Sequence, residues 1–132
     1  MCLFCEIIKG EIPSYKIYED EYTYAFLDIS DDVRGHTLLV PKTHVENVLD
    51  ASDEIINHVM KTVKKISTHY VERCGYDGVN ILNNSGTSAE QTVMHFHVHI
   101  LPRKNDDGKR IYPKLSKCNS DMLKLANELK LL

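Results

Sequence analysis

His95-Phe96-His97-Val98-His99-Ile100-Leu101 is the stretch on which the reading of this chain turns. Histidine alternates with an apolar residue, and a period of two belongs to a β-strand, whose side chains point alternately to opposite faces. Phe96, Val98 and Ile100 then anchor one face to a core. His95, His97 and His99 form a row on the other, with neighbours roughly 6.6 Å apart. Imidazole serves as nucleophile, base or ligand near neutral pH, so this row reads as a reactive face rather than a solvated one. The strand is predicted over residues 92–102, with its histidines exposed.

Working outward, residues 78–83 read as a second strand, joined to the first by the turn-rich loop 84–89. Residues 103–109 form a charged loop. Upstream, Ser52 or Asp53 caps a helix in which Ile55, Ile56, Val59, Val63, Ile66 and Tyr70 recur at three- and four-residue steps, ending before Gly75. Residues 35–41 are a near-continuous apolar run, the pattern of a strand covered on both faces. Residues 15–18 and 22–28 are aromatic-rich strands about a polar turn. A short helix closes near Gly10, and Asn119 or Ser120 opens a last short helix. The order predicts an α+β fold with a mostly antiparallel five-stranded sheet, one long helix and short terminal helices.

The 132 residues suit a single domain. A net charge of -3 without a basic stripe argues against a nucleic-acid partner. No apolar run approaches the roughly 18 residues of a membrane span, and the start does not resemble a signal peptide. A soluble, cytoplasmic protein with no membrane partner is therefore expected, and its four cysteines are not expected to form disulfides.

Cys2 and Cys5 make a Cys-x-x-Cys pair, a common half-site for zinc. The three strand histidines cannot share one metal, since His95 and His99 lie about 13 Å apart on a straight strand. A metal therefore takes one end of the row. Cys2, Cys5, His44 and His95 would give a closed, tetrahedral, structural site; a surface thiol pair and a redox pair are the alternatives.

His97, central in the row, is the candidate nucleophile toward a carbonyl or phosphorus centre. His99 and His36 offer hydrogen bonds or charge around it, and Asn84, Gln91 and Thr92 offer donors to a phosphoryl group. Asp28 ends a strand and suits a pair of ribose hydroxyls. Ile7, Phe26 and Leu27 suit the wall of a base pocket. There is no Walker lysine motif and no set of paired metal carboxylates, which argues against a kinase or a two-metal hydrolase.

The histidine run resembles the signature of the histidine-triad nucleotide-binding and nucleotidyl-hydrolase family. Similar segments are Phe4-Cys5-Glu6-Ile7-Ile8, Ala25-Phe26-Leu27-Asp28-Ile29, Gly35-His36-Thr37-Leu38-Leu39-Val40-Pro41-Lys42-Thr43-His44 and Gln91-Thr92-Val93, so the resemblance spans about residues 2–103. It implies a compact α+β homodimer joined through the long helix and adjacent strand. It also implies cleavage of the P–N bond of adenosine 5'-phosphoramidates, with aminoacyl-adenylates as further substrates and AMP as product. The partners implied are thus purine nucleoside monophosphate derivatives. In the resemblance His97 attacks phosphorus; His99 and Asn84 contact phosphate; Gln91 and Thr92 sit near the phosphate and leaving group; and His36 supports His97. Asp28 binds ribose, and Ile7, Phe26 and Leu27 line the base pocket. Cys2, Cys5, His44 and His95 hold a structural zinc. Glu90 departs from the commoner glycine and Thr92 from the commoner serine, and the tail 104–132 carries no family landmark. Hydrolysis of diadenosine polyphosphates, and nucleotide binding with incidental turnover, are the alternative activities.

Overall fold

Thr37-Leu38-Leu39-Val40-Pro41 is buried along its whole length, as a central strand covered on both faces must be. It is β3 in a computed structural model that describes residues 1–131. Around it lie β1 (Lys16–Glu19), β2 (Thr23–Leu27), β4 (Gly78–Leu82) and β5 (Val98–Arg103), in the order β1-β2-β3-β5-β4. Every neighbouring pair is antiparallel. With the helices α1 (Leu3–Ile8), α2 (Asp53–Arg73) and α3 (Met122–Leu129) the architecture is the α+β arrangement that the sequence predicts.

Strand alternation sorts the core into two layers. On one face Ala25, Leu39, Val98 and Ile100 meet Val59, Val63, Ile66 and Tyr70 of α2. On the other, Tyr24, Phe26, Leu38 and Val40 meet Phe4 and Ile7 of α1. Ser52 caps α2 by accepting the Ile55 N–H at 3.2 Å, with Asp53 and Glu54 in the first turn, where the helix dipole favours them. The helix ends at Cys74, and the chain turns away at Gly75, whose φ of +79° suits glycine.

β5 departs from expectation. It begins at Val98 rather than at residue 92, and its ladder with β3 stops at the Leu39–Val98 pair. Two residues further on, β3 reaches Pro41, which has no N–H to give. The preceding segment is held by single bonds instead: the Phe96 N–H donates to the Val45 carbonyl at 2.7 Å, and Asn83 Nδ2 donates to the His97 carbonyl at 2.8 Å. Phe96, Val98 and Ile100 nevertheless all enter the α2-side core, so the alternation survives the loss of the ladder.

The last helix is capped by Asp121, one residue after Ser120 and two after Asn119, the caps read from the sequence, and none of its residues is buried. All four cysteines are free thiols. Among the described residues no helix is long and apolar enough to cross a membrane.

Candidate functional site

Most of the histidine row is buried, not exposed: His95 is fully covered and His97 is 6% exposed, while His99 is half-buried. Burial, together with the breakdown of the ladder, divides its members among three different partners.

His95 turns toward α1. Its Nε2–H donates to the Pro41 carbonyl at 2.9 Å, which leaves Nδ1 as a lone pair. That Nδ1 lies 3.4 Å from Cys2 Sγ, 3.6 Å from Cys5 Sγ and 3.0 Å from His44 Nδ1, and Cys5 Sγ lies 3.5 Å from His44 Nδ1. All four ligand atoms fall within 4.8 Å of one another. A tetrahedral zinc with ordinary bond lengths has S–N edges of about 3.5 Å and N–N edges of about 3.3 Å. The donor set therefore fits such an ion, with Pro41 fixing the ligating nitrogen of His95. Burial and the neighbouring Cys2 sulfur push the Cys5 thiol up from its ordinary value, and a bound cation reverses that balance. The cysteines reach the site because Cys2 caps α1, its Sγ accepting the Cys5 N–H at 3.4 Å.

His97 is held differently. Its Nδ1–H donates to the carbonyl of His95 at 2.7 Å, so Nε2 is the nitrogen with the free lone pair. Burial holds this imidazole below its usual range, against the opposing effects of that hydrogen bond and of the Asp28 charge. Its ring packs edge-on against Phe4, centroids 5.1 Å apart.

Phe4 also lines a mainly apolar cleft of about 300 Å³, together with Ile7, Phe26, Leu27, Asp28 and Tyr15. Ile7, Phe26 and Leu27, expected from the sequence to line a base pocket, are thus brought together in one cleft, which Phe4 links to the His97 ring. Asp28 stands at the same cleft, partly buried, with one oxygen accepting the Ser30 N–H at 2.9 Å and the other 3.7 Å from His36 Nε2.

His99 pairs with His36: Nδ1 of the first is 2.9 Å from Nε2 of the second. His36, expected to support His97, bonds His99 instead, because its place at the entry to β3 sets it beside β5. Burial, then the nearby His97 and His36, bring the His99 imidazole down to about 4.

One further expectation changes. Gln91 is buried and fully engaged: Nε2 donates to the carbonyls of Glu46 (2.7 Å) and Val93 (3.0 Å), while Oε1 accepts from Gly86 N–H (2.9 Å) and Asn47 Nδ2 (3.3 Å). With its donors spent on the backbone, it pins the loop and is not a phosphate donor. Thr92 is exposed and lies along the surface cleft beside Cys2, Cys5 and His44. Asn84 is half-buried in the loop after β4. It is Asn83, the residue before it, that bonds the His97 carbonyl. Glu90 is exposed, at a left-handed φ of +68°.

Sequence reasoning missed Asn83, Pro41 and Asp32. Asp32 Oδ1 accepts from His36 Nδ1 at 2.6 Å. The segment 30–32 carried only the composition of a loop, and nothing in its spacing pointed to His36.

The HIT domain family matches residues 9–106. The Bacillus subtilis (strain 168) protein called protein hit is 50% identical over 102 residues, 77% of this chain and 70% of that protein. The adenosine 5'-monophosphoramidase of Saccharomyces cerevisiae is 36% identical over 131 residues, 92% of this chain and 80% of that one. A zinc-bound histidine triad family protein from Mycobacterium smegmatis superposes with a TM-score of 0.76 at 36% identity, covering 87% of this chain and 84% of that structure. Matched across most of its length, and with the alternating histidines at the centre of its fold, this chain belongs to the HIT domain family.

Proposed function

We propose that this HIT family hydrolase cleaves the P–N bond of adenosine 5'-phosphoramidates, and splits aminoacyl-adenylates, by way of a nucleotidyl-histidine at His97. The observation that carries the reading is the fixed tautomer of His97. Its Nδ1–H is committed to the His95 carbonyl, so the Nε2 lone pair is the reactive one, next to a cleft of nucleobase size. A buried imidazole held in its neutral form is ready to attack. In the first step Nε2 attacks the α-phosphorus, the P–N bond breaks, and the departing nitrogen takes the electron pair and a proton from solvent, leaving as an amine; with an aminoacyl-adenylate the P–O bond breaks instead and a carboxylate leaves with the electron pair. In the second, a water oxygen attacks phosphorus and gives a proton back to solvent, the P–Nε2 bond breaks, and AMP leaves with the lone pair returned to Nε2. Asp28 at the mouth of the cleft suits ribose hydroxyls, and Ile7, Phe26 and Leu27 suit the base. Asn84 and Thr92, in the loop before the histidines, are assigned to the phosphate and leaving group. The activity named for the yeast relative supports the same chemistry.

Cys2, Cys5, His44 and His95 are assigned to a structural zinc, which when bound supplies a cross-link between α1 and the start of the histidine segment. A homodimer is part of the same reading: β4 is an edge strand, its outer ladder positions open to a second copy, and Ile81 is exposed there. The reading places the enzyme in the cytoplasm, with free thiols.

The test is turnover of an adenosine 5'-phosphoramidate by wild type and by His97→Ala, with a diadenosine tetraphosphate as comparison. The variant is expected to lose at least about a thousandfold in rate, since removal of a nucleophile leaves only residual catalysis. Unchanged turnover in His97→Ala would sink the mechanism. Preferential hydrolysis of the diadenosine compound would move the assignment to that substrate class.

A further inference from the structure

Asp28, His36 and His99 come from three strands that lie side by side. Asp28 directly follows β2, His36 directly precedes β3, and His99 is on β5. In the order β2-β3-β5, Leu27 pairs with Thr37 and Leu38 with His99, which brings the three residues together. Alternation puts them on one face. Asp28 is two residues beyond Phe26 and His36 two before Leu38, while His99 sits between Val98 and Ile100, which turn to the opposite face. The backbone fixes the frame, since the Asp28 N–H donates to the His36 carbonyl at 2.8 Å.

Each side chain turns one donor atom to the centre of the group. Asp28 Oδ1 accepts the Ser30 N–H at 2.9 Å, and Oδ2 lies 3.7 Å from His36 Nε2. His36 Nδ1 is bonded to Asp32 Oδ1 at 2.6 Å, so Nε2 is the nitrogen that faces the group. His99 Nδ1 lies 2.9 Å from that Nε2. All three ligand atoms fall within 4.8 Å of one another. Neighbouring ligand atoms on a divalent ion with ordinary bond lengths are roughly 3.0–3.4 Å apart. The two observed separations straddle that span, so shifts of a few tenths of an ångström close the group on an ion. A hydrogen bond between the imidazoles accounts for their own contact, but not for Asp28, whose Oδ2 is too far from His36 for such a bond.

We infer that Asp28, His36 and His99 form a second metal site, an open one that takes a divalent transition-metal ion in exchange with solvent and shuts the nucleotide out while the ion is bound. Two imidazoles and one carboxylate suit Zn²⁺, Co²⁺, Ni²⁺ or Cu²⁺ better than the all-oxygen cations. The set holds no thiolate, and three protein ligands are the number that leaves a position for water or an anion. It thereby differs from the closed group of Cys2, Cys5, His44 and His95. Asp28 and His99 are half-buried, and Asp28 lines the nucleotide cleft, so the ion reaches the group through that cleft. The exclusion rests on the phosphoramidate reading, in which Asp28 takes the ribose hydroxyls and His99 the phosphate; the binding of the ion does not.

The experiment adds Co²⁺ or Zn²⁺ alone to the protein as isolated. Cobalt reports its own donors: thiolates give an intense near-ultraviolet charge-transfer band, whereas imidazole and carboxylate give only weak visible bands. Wild type is expected to bind one Co²⁺ without the thiolate band, in competition with added Zn²⁺. Phosphoramidate turnover should fall as this site fills, and AMP should raise the Co²⁺ concentration required several-fold. Asp28→Asn and His99→Gln are each expected to weaken the ion at least about tenfold, the loss that even an outer partner of a ligand causes. His58→Ala, which removes a half-buried imidazole of α2 beside Glu54, should leave it unchanged. No cobalt spectrum free of thiolate character, undiminished binding in both site variants, or an equal loss in His58→Ala would overturn the site. Simultaneous binding of AMP and Co²⁺ would overturn the exclusion. A wild type without phosphoramidate turnover would overturn the substrate reading alone, and the cobalt spectra would still decide the site.

Discussion

At the scale of single residues, the alternating run was legible because a period of two needs no knowledge of tertiary structure. Phe96, Val98 and Ile100 went to the core as their spacing requires. What the same spacing could not carry was the partner of each histidine. Those partners are a carbonyl of β3, a carbonyl two residues back, and a histidine 63 positions upstream. Asp32 was illegible for the same reason, since its role exists only once the loop closes onto His36. Glu90 is the converse case, a residue whose oddity the sequence showed and the backbone explains. It lies at φ +68°, with its N–H on the Thr87 carbonyl at 3.0 Å, a conformation glycine adopts without strain. Relief of left-handed strain exceeds the extra chain entropy of glycine, so Glu90→Gly is expected to stabilise by about 0.5–1 kcal/mol. Urea denaturation reads this directly, and a lower midpoint at unchanged slope would show that the Glu90 side chain contributes more than its backbone costs.

At the scale of elements, the long helix was the most legible part of the chain. Its stripe, its cap and its stop at glycine are local features, and each recurs where the sequence placed it. The start of β5 was less so. Alternation runs from residue 95, but strand pairing also requires a partner with donors to offer, and β3 ends in Pro41. That early end has a use: a continued ladder would commit the backbone groups of the segment to pairing, whereas here the His95 carbonyl is left to orient His97. The cap of α2 can be tested by itself. Ser52 Oγ accepts the Ile55 N–H from an exposed position, so Ser52→Ala removes one hydrogen bond and leaves the core intact. The expected loss is about 1 kcal/mol, seen as a lower denaturation midpoint with phosphoramidate turnover unchanged. A loss of turnover larger than the loss of stability would mean that α2 transmits strain to the histidine segment.

At the scale of the whole molecule, the proposed metal ties the nucleotide cleft to the chain's beginning. Helix α1 is only six residues long, too short to persist by itself. Yet Phe4 and Ile7, on that helix, line the cleft and pack beneath the sheet. Apolar burial holds one side of α1; on the other, Cys2 and Cys5 face His44 and His95, all four ligand atoms lying within 4.8 Å of one another. A bound ion would therefore fix a wall of the proposed base pocket without touching the substrate, and its removal should act on binding more than on chemistry. One zinc per chain is expected in the wild type by elemental analysis. Cys5→Ser is expected to lose most of it, to melt at lower temperature, and to raise KM for an adenosine phosphoramidate several-fold, while kcat changes less because the His97 tautomer depends on a backbone carbonyl. Equal metal content in the two proteins would reject the site. Equal melting and KM after metal loss would show that burial of Phe4 and Ile7 alone is enough to seat the helix.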